Sequence, residues 1–134
     1  MTESLFQYNN PCITKLLYQE NDGFILEKGK SIEISNTIDV VQQRIDENSA
    51  VVKVNIVIGK KDTSVPFFAE IETVADFRWE VGINNVDALL SQNAPALLLS
   101  YSRPIIAMIT NASHFPVYNI PFMNFTEKNG QKID

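Results

Sequence analysis

The chain has 134 residues, 45% of them apolar and 20% charged. At that length one domain is the expected unit, and the apolar content suffices for a buried core, which argues against disorder of the whole chain. The net charge of −5, with no basic run beyond Lys60-Lys61, argues against nucleic-acid binding, because phosphate contacts need clustered lysine and arginine.

The single cysteine, Cys12, has no partner within the chain, which fits a reducing compartment. No basic start leads into an apolar run, so no signal peptide is expected. The apolar stretches are interrupted before the ~18–20 residues that a membrane span requires. The expected location is the cytoplasm.

The first two-thirds of the chain read as strands. Ile13 to Tyr18 is β-prone and leads into the turn-like Glu20-Asn21-Asp22-Gly23. From Ile32 onward, Ile34, Ile38 and Val40 recur at period two between polar residues, the mark of a strand with one buried face. Asp46 to Ser49 is a polar break of the hairpin kind, after which Val52, Val54, Ile56 and Ile58 share a face. Gly59 to Asp62 makes the next turn. The fourth strand, Val65 to about Ile71, sets Phe67, Ala69 and Ile71 against Phe68, Glu70 and Glu72. Four strands with short polar turns predict an antiparallel meander.

After Trp79 the period becomes helical, from Val86 through Leu89, Leu90, Ala94, Leu97, Leu98, Tyr101, Ile105, Met108 and Ile109 to Ala112. Pro95 suits the first turn of a second helical piece, where a missing N–H costs nothing. Pro104 predicts a kink near Tyr101–Arg103, unless a loop intervenes there. The prolines of Phe115 to Phe125 forbid a helix there, and the apolar residues between them require the segment to lie on the sheet or the helix. The expected fold is α+β: a four-stranded antiparallel β-meander followed by a long, proline-interrupted helix packed on the sheet. Residues 1–134 read as one domain, with 1–10 and 126–134 frayed.

Catalytic signatures are absent. His114 and Cys12 are single residues without a supporting motif, no set of metal ligands is spaced for coordination, and five scattered glycines make no phosphate-cradling loop. Glu70 and Glu72 share a strand face, which reads as a solvated face before it reads as an acid–base pair. An enzyme is not expected.

Ordered pieces from about Val51 to Phe125 resemble the SecB family of export chaperones. Val65-Pro66-Phe67-Phe68-Ala69-Glu70-Ile71 is similar to the family's fourth strand, and Ala75-Asp76-Phe77 to the aromatic-bearing stretch after it. Asn93-Ala94-Pro95-Ala96-Leu97-Leu98-Leu99-Ser100-Tyr101-Ser102-Arg103 is similar to its long helix. Phe115-Pro116 through Asn124-Phe125 is similar to its closing Phe-Pro…Asn-Phe segment. Ser100 stands where the family has proline, and Pro104 comes one turn later. The chain reads as a short form without the family's second helix and tail.

The resemblance implies a chaperone that holds unfolded polypeptides without ATP or any cofactor, in protein export. The alternatives are a protein dedicated to one partner, such as an antitoxin chaperone, or a non-catalytic scaffold of the same fold. Phe77, Trp79, Tyr118 and Phe122 are the expected client groove, although core packing is the ordinary fate of any one aromatic. Phe68 and Glu70, with Glu72 beside them, match the family's surface for the export motor ATPase. The apolar helix face of Leu97, Leu98, Tyr101, Ile105 and Met108 is larger than one sheet covers, so a homo-oligomer is expected, a tetramer before a dimer.

Overall fold

A computed structural model describes residues 6–125. The strands are β1 (Phe6–Tyr8), β2 (Cys12–Glu20), β3 (Asn36–Asp46), β4 (Ser49–Gly59) and β5 (Phe67–Trp79). A single helical turn α1 (Val86–Ala88), a π-helical turn (Leu89–Asn93) and the long helix α2 (Ala94–Asn111) follow.

Strict alternation builds the two central strands. Ala50, Val52, Val54, Ile56 and Ile58 of β4 point inward, as do Phe67, Ala69, Ile71, Thr73, Ala75, Phe77 and Trp79 of β5, and all are buried. β5 thus runs eight residues beyond the expected end at Ile71. Thr73 and Ala75, polar and small, hide an inward face that Phe77 and Trp79 resume. Both aromatics therefore belong to the strand and not to a loop after it.

The α+β class and the single long helix are as expected, and the strand path differs from a meander. β3, β4 and β5 are successive antiparallel neighbours. β2 does not lie beside β3; it pairs with the far edge of β5, Leu16 opposite Ile71, and β1 continues that edge with Tyr8 opposite Phe77. At thirteen residues β5 is long enough to carry both. β1 makes Phe6–Tyr8 part of the sheet, whereas the fraying expected at 1–5 and 126–134 lies outside the described residues.

Gly59 ends β4 with φ +75° and its N–H donates to the Ser35 carbonyl at 2.8 Å. A Cβ there would collide with the Phe67 carbonyl oxygen, so the turn into β5 requires glycine.

α2 packs on β4 and β5 through a row at every fourth position: Ala94, Leu98, Ser102, Ile106 and Thr110, all buried. Pro95 falls in its first turn, as expected. In a continuous α-helix its ring would crowd the carbonyl of Ser91; the wider π turn before it removes that clash. Pro104 lies inside α2, and the helical segment continues past it to Asn111. Pro104 removes the N–H that would bond the Ser100 carbonyl, and both residues are exposed.

Residues 114–125 have no regular structure and lie against this framework, with Ile120 and Phe125 buried. Arg103 Nε donates to the Ile120 carbonyl at 2.6 Å, and the Tyr118 N–H donates to Thr110 Oγ1 at 2.8 Å. These bonds fix the segment's backbone to α2.

Candidate functional site

Because β2 and β3 sit at opposite edges of the sheet, the chain between them must cross it. Loop 21–35 makes this crossing at the Phe67 end of β5, and the segment that leaves α2 arrives at the same end. Local bonds hold both. Asn21 Nδ2 donates to the carbonyls of Lys60 at 2.7 Å and Val65 at 3.0 Å. Glu20, the last residue of β2, accepts the His114 main-chain N–H at 3.0 Å and faces the His114 ring Nδ1 at 2.8 and 3.0 Å. The bonds from the His114 backbone and ring hold the Glu20 carboxyl below its ordinary pKa. Phe24 meets Phe115 edge to face at 5.7 Å.

Between the two segments lies an apolar groove of about 380 Å³. Leu26, Ile32 and Ile34 form its loop wall, and Phe115, Val117 and Tyr118 its other wall, above Phe67. Lys30 and Ser31 supply polar groups at the loop side. Tyr118 is held at both ends: its main chain by Thr110, and its hydroxyl by Asn36 Nδ2, which donates to it at 2.9 Å. Its ring stands edge-on to Phe67 at 6.3 Å. A second opening of about 420 Å³, lined by Glu33, Ser35, Lys60 and Val65, shares Ile34 with the first. An apolar groove with a few polar groups suits side chains of varied shape.

The four expected groove aromatics are not brought together. Phe77 (1% exposed) and Trp79 (5% exposed) are core residues. Phe77 stacks on Phe6 at 5.5 Å, and Trp79 Nε1 donates to the Glu47 carbonyl at 3.2 Å. Ten residues separate Phe67 from Phe77 on one strand, about 33 Å at strand rise, so Phe77 lies far from Tyr118. Phe122 is 80% exposed and stacks under Arg103, whose Cζ is 3.9 Å from the ring centroid; it does not line the groove. Of the four, Tyr118 is the one in the groove wall.

Leu26, Ile32 and Ile34, which do line the groove, were not anticipated. The available signal was the length and content of their loop: fifteen residues between strands, carrying five large apolar side chains (Phe24, Ile25, Leu26, Ile32, Ile34), is unusual unless the loop is used.

Phe68, Glu70 and Glu72 do share one face, the side of β5 away from α2, and all three are half-buried. Lys15 pairs with Glu70 at 3.5 Å and Lys53 approaches Glu72 at 4.0 Å, while Lys61 Nζ lies 4.8 Å from the Phe68 ring centre. Thr14 also donates to Glu72 at 2.6 Å. On α2, Leu98 faces the sheet and is fully buried, so it is separated from the other four. Leu97 and Ile105 are half-buried against the core, and Tyr101 (38%) and Met108 (67%) are exposed.

Cys12 opens β2 and Glu20 closes it, eight residues or about 26 Å apart, so Cys12 and His114 form no pair. Among the described residues no three His, Cys, Asp or Glu side chains converge as a metal site. No helix among them is long and apolar enough to cross a membrane.

Comparison with solved structures places the fold. A SecB-like chaperone from Mycobacterium tuberculosis, solved in complex with a peptide from an antitoxin, matches with a TM-score of 0.69 at 12% identity, over 87% of this chain and 89% of that one. A protein of unknown function from Streptococcus agalactiae matches with a TM-score of 0.49 at 13% identity, over 87% of this chain and 97% of that one. No curated protein matches in sequence. The family model for preprotein translocase subunit SecB matches residues 18–133. The chain belongs to the SecB family.

Proposed function

We propose that this protein is a chaperone that binds unfolded polypeptide segments, without ATP, in the groove between loop 21–35 and segment 114–125. The observation that carries this reading is the groove itself: an open apolar trough floored by Phe67 and walled by Tyr118, which is fixed in place at its main chain and its hydroxyl. Aliphatic and aromatic walls accept many side chains without a strict code. Membership of a family described as a preprotein translocase subunit supports clients of the export route and supports a role without catalysis.

The test is direct. The pure protein is mixed with an unrelated unfolded protein in the absence of ATP. Suppressed aggregation near stoichiometric ratios is the expected result; unchanged aggregation would overturn the reading. A second reading, service to one dedicated partner, is favoured by the neighbouring fold solved with an antitoxin peptide. It predicts strong binding of one peptide and no protection of unrelated clients.

Two further surfaces belong to the same proposal. The outer sheet face at Phe68, Glu70 and Glu72 is the docking face for an export motor. The α2 stripe of Leu97, Tyr101, Ile105 and Met108, now without Leu98, is the interface of a homo-oligomer, a tetramer before a dimer. One SecB-like domain working in the cytoplasm accounts for these features, and the exposed free thiol of Cys12 suits a reducing compartment.

A further inference from the structure

We propose that the groove takes its occupant as an added β-strand, paired main chain to main chain with Ser31–Ile34. The inference rests on the polypeptide-binding reading above and names how the polypeptide is held. Residues 31–35 lead directly into β3 and alternate as a strand does: Ser31, Glu33 and Ser35 are exposed, while Ile32 and Ile34 are half-buried and line the groove. Yet among the described residues no main-chain N–H or C=O of Ser31–Ile34 has a hydrogen-bond partner; the first paired group is the Ser35 carbonyl, which accepts from Gly59. These four residues have the side-chain pattern of a strand and no ladder.

The opposite wall offers less. The N–H groups of Phe115 and Tyr118 are already taken by the hydroxyls of Ser113 and Thr110. Ser31–Ile34 are thus the longest unbroken run of unpaired main-chain groups in the groove lining, and strand addition is the mode that uses such a run. Geometry then dictates the occupant. A strand paired to Ser31–Ile34 carries every second side chain on the same face as Ile32 and Ile34, into the groove toward Phe67 and Tyr118, and the others toward water. The site selects extended segments with apolar residues at alternate positions and no proline in the paired stretch, without selecting a sequence.

The probe is a ten-residue peptide of alternating leucine and serine, compared by calorimetry with two N-methylated forms, one methylated at the leucines and one at the serines. N–H groups of alternate residues point to opposite edges of a strand, so each form loses the donors of one edge. The expected result is about a tenfold or greater loss of affinity for one form and little change for the other. Amide exchange at Ile32, Glu33 and Ile34 should also slow when the parent peptide binds. If the parent binds and both methylated forms bind as well as it does, or both weaken equally, strand addition is overturned while the groove stands. If the parent does not bind, both readings fall. If the same amides are protected without peptide, increasingly with protein concentration, the occupant is a second copy and the proposal is overturned.

Discussion

The hydroxyls of Thr73 on β5 and Ser102 on α2 lie 3.3 Å apart, both fully buried between sheet and helix. Ser102 donates its own proton to the Leu98 carbonyl at 2.9 Å, so Thr73 is the donor in the pair. A short polar chain thereby crosses the sheet–helix interface and ties the helix to a defined point on the sheet.

That direction predicts an asymmetry. Ser102→Ala leaves the Thr73 hydroxyl buried without an acceptor and should cost about 1–3 kcal/mol. Thr73→Val leaves Ser102 bonded to Leu98 and should cost less. The double variant should recover part of the Ser102→Ala loss. Urea unfolding of the three proteins and the wild type closes the cycle, and additive costs would show that the two hydroxyls do not interact.

Acid should loosen the end of the groove. The Glu20 carboxyl is held below its ordinary pKa of 4.5 by the bonds from the His114 backbone and ring. A depressed folded-state pKa adds stability above the ordinary value, and that contribution is lost as pH falls through the depressed one. Glu20→Gln cannot titrate, so its melting temperature should fall less steeply below the ordinary carboxylate pKa than that of the wild type. Identical acid limbs would mean that the contact adds no pH-dependent stability.

Groove residues and exposed aromatics should separate in binding. Tyr118→Ala removes a wall of the groove, and client affinity should fall by about 1–3 kcal/mol. Phe122→Ser removes a stacking partner of Arg103 outside the groove and should leave client affinity nearly unchanged, at a stability cost of about 0.5–1 kcal/mol. Fluorescence titration with an unfolded client distinguishes them. An equal loss from Phe122→Ser would extend the site past Tyr118 toward Ile120.

The outward stripe of α2 should govern assembly. Met108 is 67% exposed and Tyr101 38% exposed, so neither holds the core together. Met108→Glu with Tyr101→Ser should lower the mass seen by light scattering to that of a smaller unit, while helix content and urea midpoint stay close to wild type. An unchanged mass would place the interface elsewhere.

Local patterning determined much of this protein from sequence alone. Alternation in β4 marked its inward face residue by residue, and the change of period after Trp79 marked the helix, because both signals arise from neighbours within one element. The extended, helix-free character of 115–125 followed from Pro116 and Pro121, which act on their own backbone. The ordered motifs from Val65 to Phe125 carried the family resemblance.

Placement between elements was decided only by the tertiary structure. Nothing local tells β2 to pass β3 and pair with β5, yet that choice sends loop 21–35 across the sheet and builds a wall of the groove from Leu26, Ile32 and Ile34. Phe77 and Trp79 read as groove candidates, with core packing as the alternative, and the length of β5 turns both into the core. Leu98 and Leu97 are adjacent in sequence, and the rotation of α2 on the sheet buries the first and leaves the second at the margin. Burial and proximity depend on which surfaces meet across long sequence separations, and composition and periodicity along one strand or helix carry no record of that meeting.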